Sequence, residues 1–222
     1  GAPAEVTKKG SYFSTIAIAF KEARNPRVAL AYTAGVVSRG DLSVVSTFFS
    51  LWLFNEAISM DLSRAEAFKL STGFYVMVQA FAIPGAVLIN FFIDKVDRVM
   101  ALAISMFIAA CGYLYLGFID DIFSKQMYFG AALLGLGEIF ANISAISLIG
   151  SAAPAKGRGA VIGGFSFFGA IGILLVASIG GYLFDNVGPT APFTMVGFAN
   201  VALLTLALLL LFLERRKKNQ ID

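Results

Sequence analysis

The chain has 222 residues, 58% of them hydrophobic and 14% charged, with a mean hydropathy of +0.81. Soluble domains run near half apolar and a quarter charged, so this composition cannot cover a water-soluble core, and lipid is the expected solvent. The net charge of +3 does not point to nucleic acid, because Lys and Arg flank apolar segments rather than forming a basic face. Histidine is absent and Cys111 is the single cysteine, which excludes a Ser-His dyad, a His-based metal site, a haem His and an internal disulfide. No nucleophile with a base, metal cluster or phosphate loop is recognisable. We therefore expect neither an enzyme nor a cofactor or metal site.

In chain order, residues 1–26 read as a linker followed by an interfacial helix, since Tyr12 to Phe20 is apolar but too short to cross a bilayer. Residues 27–214 read as a transmembrane domain and 215–222 as a basic tail. The spans fall at about 28–54, 73–93, 99–119, 127–150, 160–184 and 191–213, each near the 20 residues that a crossing helix needs. The outer end of the first crowds Phe48, Phe49, Trp52 and Phe54, an interfacial aromatic belt or the lining of an apolar path. Pro84 should bend the second span. Gly159, Gly163, Gly164, Gly169, Gly172, Gly180 and Gly181 crowd the fifth, permitting close packing or sliding.

Basic residues favour the cytoplasmic side of short loops. One side collects thirteen, at Lys8, Lys9, Lys21, Arg24, Arg27, Lys95, Arg98, Lys156, Arg158 and Arg215 to Lys218; the other holds only Arg64, Lys69 and Lys125. Both termini are thus expected in the cytoplasm, with the loops 55–72, 120–126 and 185–190 outside and the cell (inner) membrane as the setting.

The second span ends Asn90-Phe91-Phe92-Ile93-Asp94-Lys95-Val96-Asp97 and the fifth ends Gly181-Tyr182-Leu183-Phe184-Asp185-Asn186-Val187-Gly188, with Asp94 and Asp185 lying 91 residues apart. Three crossings separate these copies, so they face opposite sides, as in an inverted repeat of three helices each. At these residues the chain resembles the major facilitator superfamily, whose loop motif is Gly-x-x-x-Asp-(Arg/Lys)-x-Gly-(Arg/Lys)-(Arg/Lys). Asp94, Lys95 and Arg98 match it, whereas Asn90 and Asp97 replace its glycines and Val99 its last base. The turn Lys156-Gly157-Arg158-Gly159 and the stretch Asp185 to Pro192 are also similar to the carboxy-terminal half of that family. The resemblance implies an all-α integral membrane fold, six transmembrane helices as two inverted three-helix repeats, forming half of a twelve-helix transporter. Its partner would be an amino-terminal six-helix half that precedes this chain; the missing start Met agrees, although Met removal before Gly1 would look the same.

Arg39, Asp41 and Glu138 are the charged residues well inside predicted spans, where each costs about 2.5–3.5 kcal/mol on insertion scales. All three fall near the midplane, where transporters bind substrate. Arg39 and Asp41 lie about 200° apart around a helix, so a partner from another helix is implied. The resemblance makes the first and fourth spans line a central cavity. There Arg39 would bind an anionic group or hold Glu138 ionised, while Asp41 or Glu138 takes up a coupling proton. The alternative is a buried ion pair that only fixes packing. Asn142 and Gln79 are candidates for substrate hydrogen bonds or for interhelical packing. Asp94, Lys95, Asp97 and Arg98 form either a solvated loop or, by the resemblance, a gating latch in which Asp94 caps the fifth span.

The function expected is a secondary active transporter that moves a small molecule by alternating access, driven by protons. A non-transporting scaffold or receptor of the same fold is the alternative. A channel fits less well, because the second, third, fifth and sixth spans carry no Asp, Glu, Lys or Arg within the limits above.

Overall fold

The computed structural model describes residues 12–119 and 121–220, and their regular structure is helical. The linker expected over the first ten residues lies outside them. A short helix, α1 (Tyr12–Glu22), precedes the bundle and lies on α7 (Arg158–Asn186). Six helices are long and apolar enough to span a bilayer. The first runs from Pro26 to Ser59 as α2 (Pro26–Val44), a π-helical turn (Val45–Phe49) and α3 (Ser50–Ser59). The others are α4 (Arg64–Ile93), α5 (Arg98–Leu116), α6 (Lys125–Ala152), α7 and α8 (Ala191–Lys218).

The helices overrun the apolar windows because polar ends stay helical where water or a cap satisfies their backbone. Most of the outer loop expected over 55–72 is therefore helix. Asp61, in the left-handed region at φ 63, turns the chain, and a reciprocal cap between Ser63 and Glu66 starts α4. At the other end, α8 continues through Arg215–Lys218 of the expected tail. Asn25 and Asp97 start α2 and α5 by accepting from the amides of Arg27 and Val99 at 3.0 and 2.8 Å. Helix α4 is continuous across Pro84.

Helix α2 packs on α7 as α6 packs on α4, and α2 also meets α6. Exchanging the first three spans for the last three maps the first two contacts onto each other and the third onto itself, as an inverted repeat requires. Small residues set both matched contacts. A Cβ on Gly172 would run into the Val36 carbonyl, and one on Gly135 into that of Val78. Gly164, Gly169 and Gly180 likewise face Tyr32, Arg39 and Phe48, whereas Gly159, Gly163 and Gly181 face open space. Close packing is thus the geometry of one face of α7.

Three of the four aromatics singled out in the first span, Phe48, Phe49 and Trp52, belong to the core, whereas Phe54 is half-buried at its edge. Phe48 stacks on Phe184 at 5.6 Å, while Phe49 and Trp52 both pack on Phe193. All three are buried. The π turn carries one residue more per turn than an α-helix can predict, which alters the face that Phe48, Phe49 and Trp52 present.

Candidate functional site

Four helices form a closed ring in which α2 touches α6, α6 touches α5, α5 touches α8, and α8 returns to α2. Polar side chains converge on its interior. Asp41 lies on α2, and its Oδ1 accepts from Asn200 Nδ2 of α8 at 3.1 Å. Asn200 also donates to the Val196 carbonyl in its own helix. Glu138, at the centre of α6, is 5% exposed, whereas Asp41 and Asn200 are at 0%. Asp41 and Glu138 are close enough to interact electrostatically with each other and with the Tyr113 hydroxyl of α5.

These groups are under-satisfied. Ser38 Oγ, Asp41 Oδ2, Tyr113 Oη, Glu138 Oε2, Asn142 Oδ1 and Asn200 Oδ1 are buried without a hydrogen-bond partner. Ser38 lies one turn from Asp41 on α2, and Asn142 one turn from Glu138 on α6, so each pair shares a helix face. Further along the ring, Ser105 of α5 and Ser144 of α6 are hydrogen-bonded at 2.7 Å. Such orphaned polar atoms are rare in native interiors and call for a bound water, a proton or an ion, or else mark strain or a catalytic role. Two buried carboxylates within one ring, without a cation in ion-pair range among the described residues, require protons or a bound cation for neutrality.

Of the residues singled out in the sequence, Asp41, Glu138 and Asn142 come together here. Arg39 does not join them; it lies half-buried beside α7, its Cγ in the space a Cβ on Gly169 would need. That is the outcome of a 200° separation, which turns Asp41 inward to α8 and Arg39 toward the neighbouring helix. Gln79 is half-buried on α4, outside the ring. Reading the spans missed Asn200 and Tyr113. Asn200 is an amide in the middle of an otherwise apolar helix, a usable signal; Tyr113 is indistinguishable from other membrane tyrosines until its helix neighbours are known.

At the ring's other end, Arg27 of α2 bridges two helices. Its Nε and Nη2 bond Glu214 of α8 at 2.8 and 2.7 Å, and Nη2 reaches Asp97 before α5 at 3.0 Å. Asp97, a departure from the loop motif, is thereby both a helix cap and an ion-pair partner. Arg98 donates to the Ile93 carbonyl and pairs with Asp94 at 3.0 Å, so the contact made by Asp94 is with its own loop. Lys95 is exposed.

Six spans, a matched pair of helix contacts and carboxyls buried near the middle of their helices define an integral membrane protein of transporter architecture. Residues 31–222 match the Major Facilitator Superfamily, and the chain belongs to that family. It is 31% identical over 191 residues to magnetosome protein MamH of Paramagnetospirillum magneticum, covering 86% of this chain and 44% of that protein. It is also 28% identical over 173 residues to magnetosome protein MamZ of the same organism and to that of Magnetospirillum gryphiswaldense, covering 78% of this chain and 27% of each. The chain thus spans less than half the length of the curated relatives it matches.

Proposed function

We propose that the chain forms one six-helix half of a proton-coupled secondary transporter that moves a small molecule by alternating access. The observation that carries this reading is the burial of Asp41 and Glu138, two carboxylates with unpartnered oxygens inside one helix ring and near the middle of their spans. Uncompensated charge is expensive there, so carboxyls that lose and regain protons would change the ring's preferred packing with each cycle. Its partner is a second six-helix half, a reading supported by the broad apolar surface of α4 and α7, including Phe68, Ile83, Phe91, Phe167, Leu174 and Tyr182. Both termini lie in the cytoplasm, following the basic residues. Arg39, outside the ring, binds an anionic group of the substrate, and Gln79 donates or accepts a substrate hydrogen bond. The relatives' names make a magnetosome membrane a setting to test beside the cell membrane.

The test is flux driven by a pH gradient through the full-length protein in liposomes, with a chemically mixed panel of substrates and Glu138→Gln in parallel. We expect one compound to move with protons and the coupling to vanish in the variant. Flux surviving Glu138→Gln with unchanged pH dependence eliminates Glu138 as the proton carrier, and the absence of saturable flux favours a scaffold or receptor.

A further inference from the structure

The ring contains more oxygen than proton binding needs. A shared proton would satisfy one carboxylate oxygen of Asp41 and one of Glu138. The side-chain oxygens of Asn200 and Asn142 would still lack a donor, because an amide oxygen only accepts. Asn200 is fixed in this sense: its Nδ2 is spent on Asp41 and on the Val196 carbonyl, so its Oδ1, buried and unpartnered, lies beside the same carboxylate. The hydroxyls of Ser38 and Tyr113 have free lone pairs as well. Oxygen donors without nitrogen or sulfur suit a hard cation. Histidine, cysteine and a third carboxylate are missing from this neighbourhood, and no group of three such ligands occurs among the described residues, so the donor set does not favour a transition metal.

We propose that the ring binds a dehydrated sodium ion, held by Asp41, Glu138 and Asn200 with Ser38, Tyr113 and Asn142 as further oxygen donors, while one of the two carboxyls stays protonated. One sodium ion and one proton neutralise the two carboxylates, and the cation satisfies the amide oxygens that protons leave idle. Tight packing favours a bare ion over a hydrated divalent one, which retains its waters: a Cβ on Gly137 would stand 2.6 Å from Ala109 Cα, and one on Gly112 3.1 Å from the Leu133 backbone. The surrounding charges are few. Helix α2 adds Arg39 on the side facing α7, α5 adds the Tyr113 hydroxyl, and α7 and α8 carry no Asp, Glu, Lys or Arg over residues 159–184 and 192–213. Beside Asp41, a crevice of about 160 Å³ is lined by Val36, Gly172, Val176, Met195 and Ala199.

The inference rests on reading this ring as the ion site and is independent of transport. Its test is thermal unfolding of the purified full-length protein at constant ionic strength in sodium, potassium or choline chloride, and in choline chloride with added magnesium or calcium, with direct binding of radioactive sodium beside it. Sodium at tenfold its dissociation constant should raise the Tm of the full-length protein by about 1–3 °C over choline. The shift should shrink as the pH falls from about 8 to 5.5, because protons compete for the same carboxylates, and should disappear in Asp41→Asn and in Glu138→Gln. Equal curves in sodium and choline with no bound radioactive sodium overturn the proposal, as does stabilisation by magnesium or calcium but not sodium. If the two variants fail to fold, the wild-type comparison of the three salts and the binding measurement decide alone. Sodium binding without coupled flux would refute the transport reading and leave this one standing; proton-coupled flux without sodium binding would do the reverse.

Discussion

Replacing Gly172 by Ala tests the α2–α7 contact that seats Asp41. The substitution adds one methyl, which would collide with the Val36 carbonyl and also approach Val36 Cα at 2.9 Å. Backbone cannot swing aside as a side chain can, so α2 and α7 must separate or α7 must rotate. Overpacking of this kind costs about 1–3 kcal/mol, offset in part by the helix propensity that Ala has over Gly, about 1 kcal/mol. Gly163→Ala makes the same chemical change nine residues earlier in the same helix, where a Cβ meets nothing within 4 Å, so only the propensity gain remains. The two variants should therefore differ by about 2 kcal/mol, or about 4–8 °C in Tm for a chain of this size. Thermal unfolding in one detergent, with both variants in parallel, measures the difference. A Gly172→Ala protein as stable as Gly163→Ala would refute the close contact and the position it assigns to Asp41.

Asn200→Leu removes the hydrogen bond to Asp41 and leaves that buried carboxyl without a partner, at a cost of about 1–3 kcal/mol. Combining it with Asp41→Asn should be less than additive in the same unfolding assay, since the two residues share one interaction. Arg27→Ala breaks the bridge to Glu214 and Asp97, groups that stay partly exposed; the expected loss is about 1 kcal/mol, larger at low salt than at high salt. Asp94→Asn weakens the pair with Arg98 and, if the loop is a latch, shifts the balance of inward- and outward-facing states in an accessibility-labelling assay. Unchanged labelling would reduce the Asp94–Arg98 pair to a surface contact.

Membrane residence, six crossings and their reversal across the repeat were legible in the order of residues, because a bilayer demands about 20 apolar residues per helix and leaves no freedom in spacing. The charged positions Asp41 and Glu138 were legible for the same reason, each conspicuous against an apolar background. Helix ends were less so: hydropathy reports where hydrocarbon ends, whereas Ser63 and Asp97 show that a helix ends where its amides find a cap. Which charges meet was hidden altogether. Spacing separates Arg39 from Asp41 around α2, but the choice of Asn200 and Tyr113 as neighbours of Asp41, and of Glu214 and Asp97 for Arg27, depends on how four helices close into a ring. That closure draws on small residues meeting a neighbouring helix at Gly112 and Gly137 between α5 and α6 and at Gly197 between α8 and α5, contacts between distant parts of the chain that no local pattern encodes.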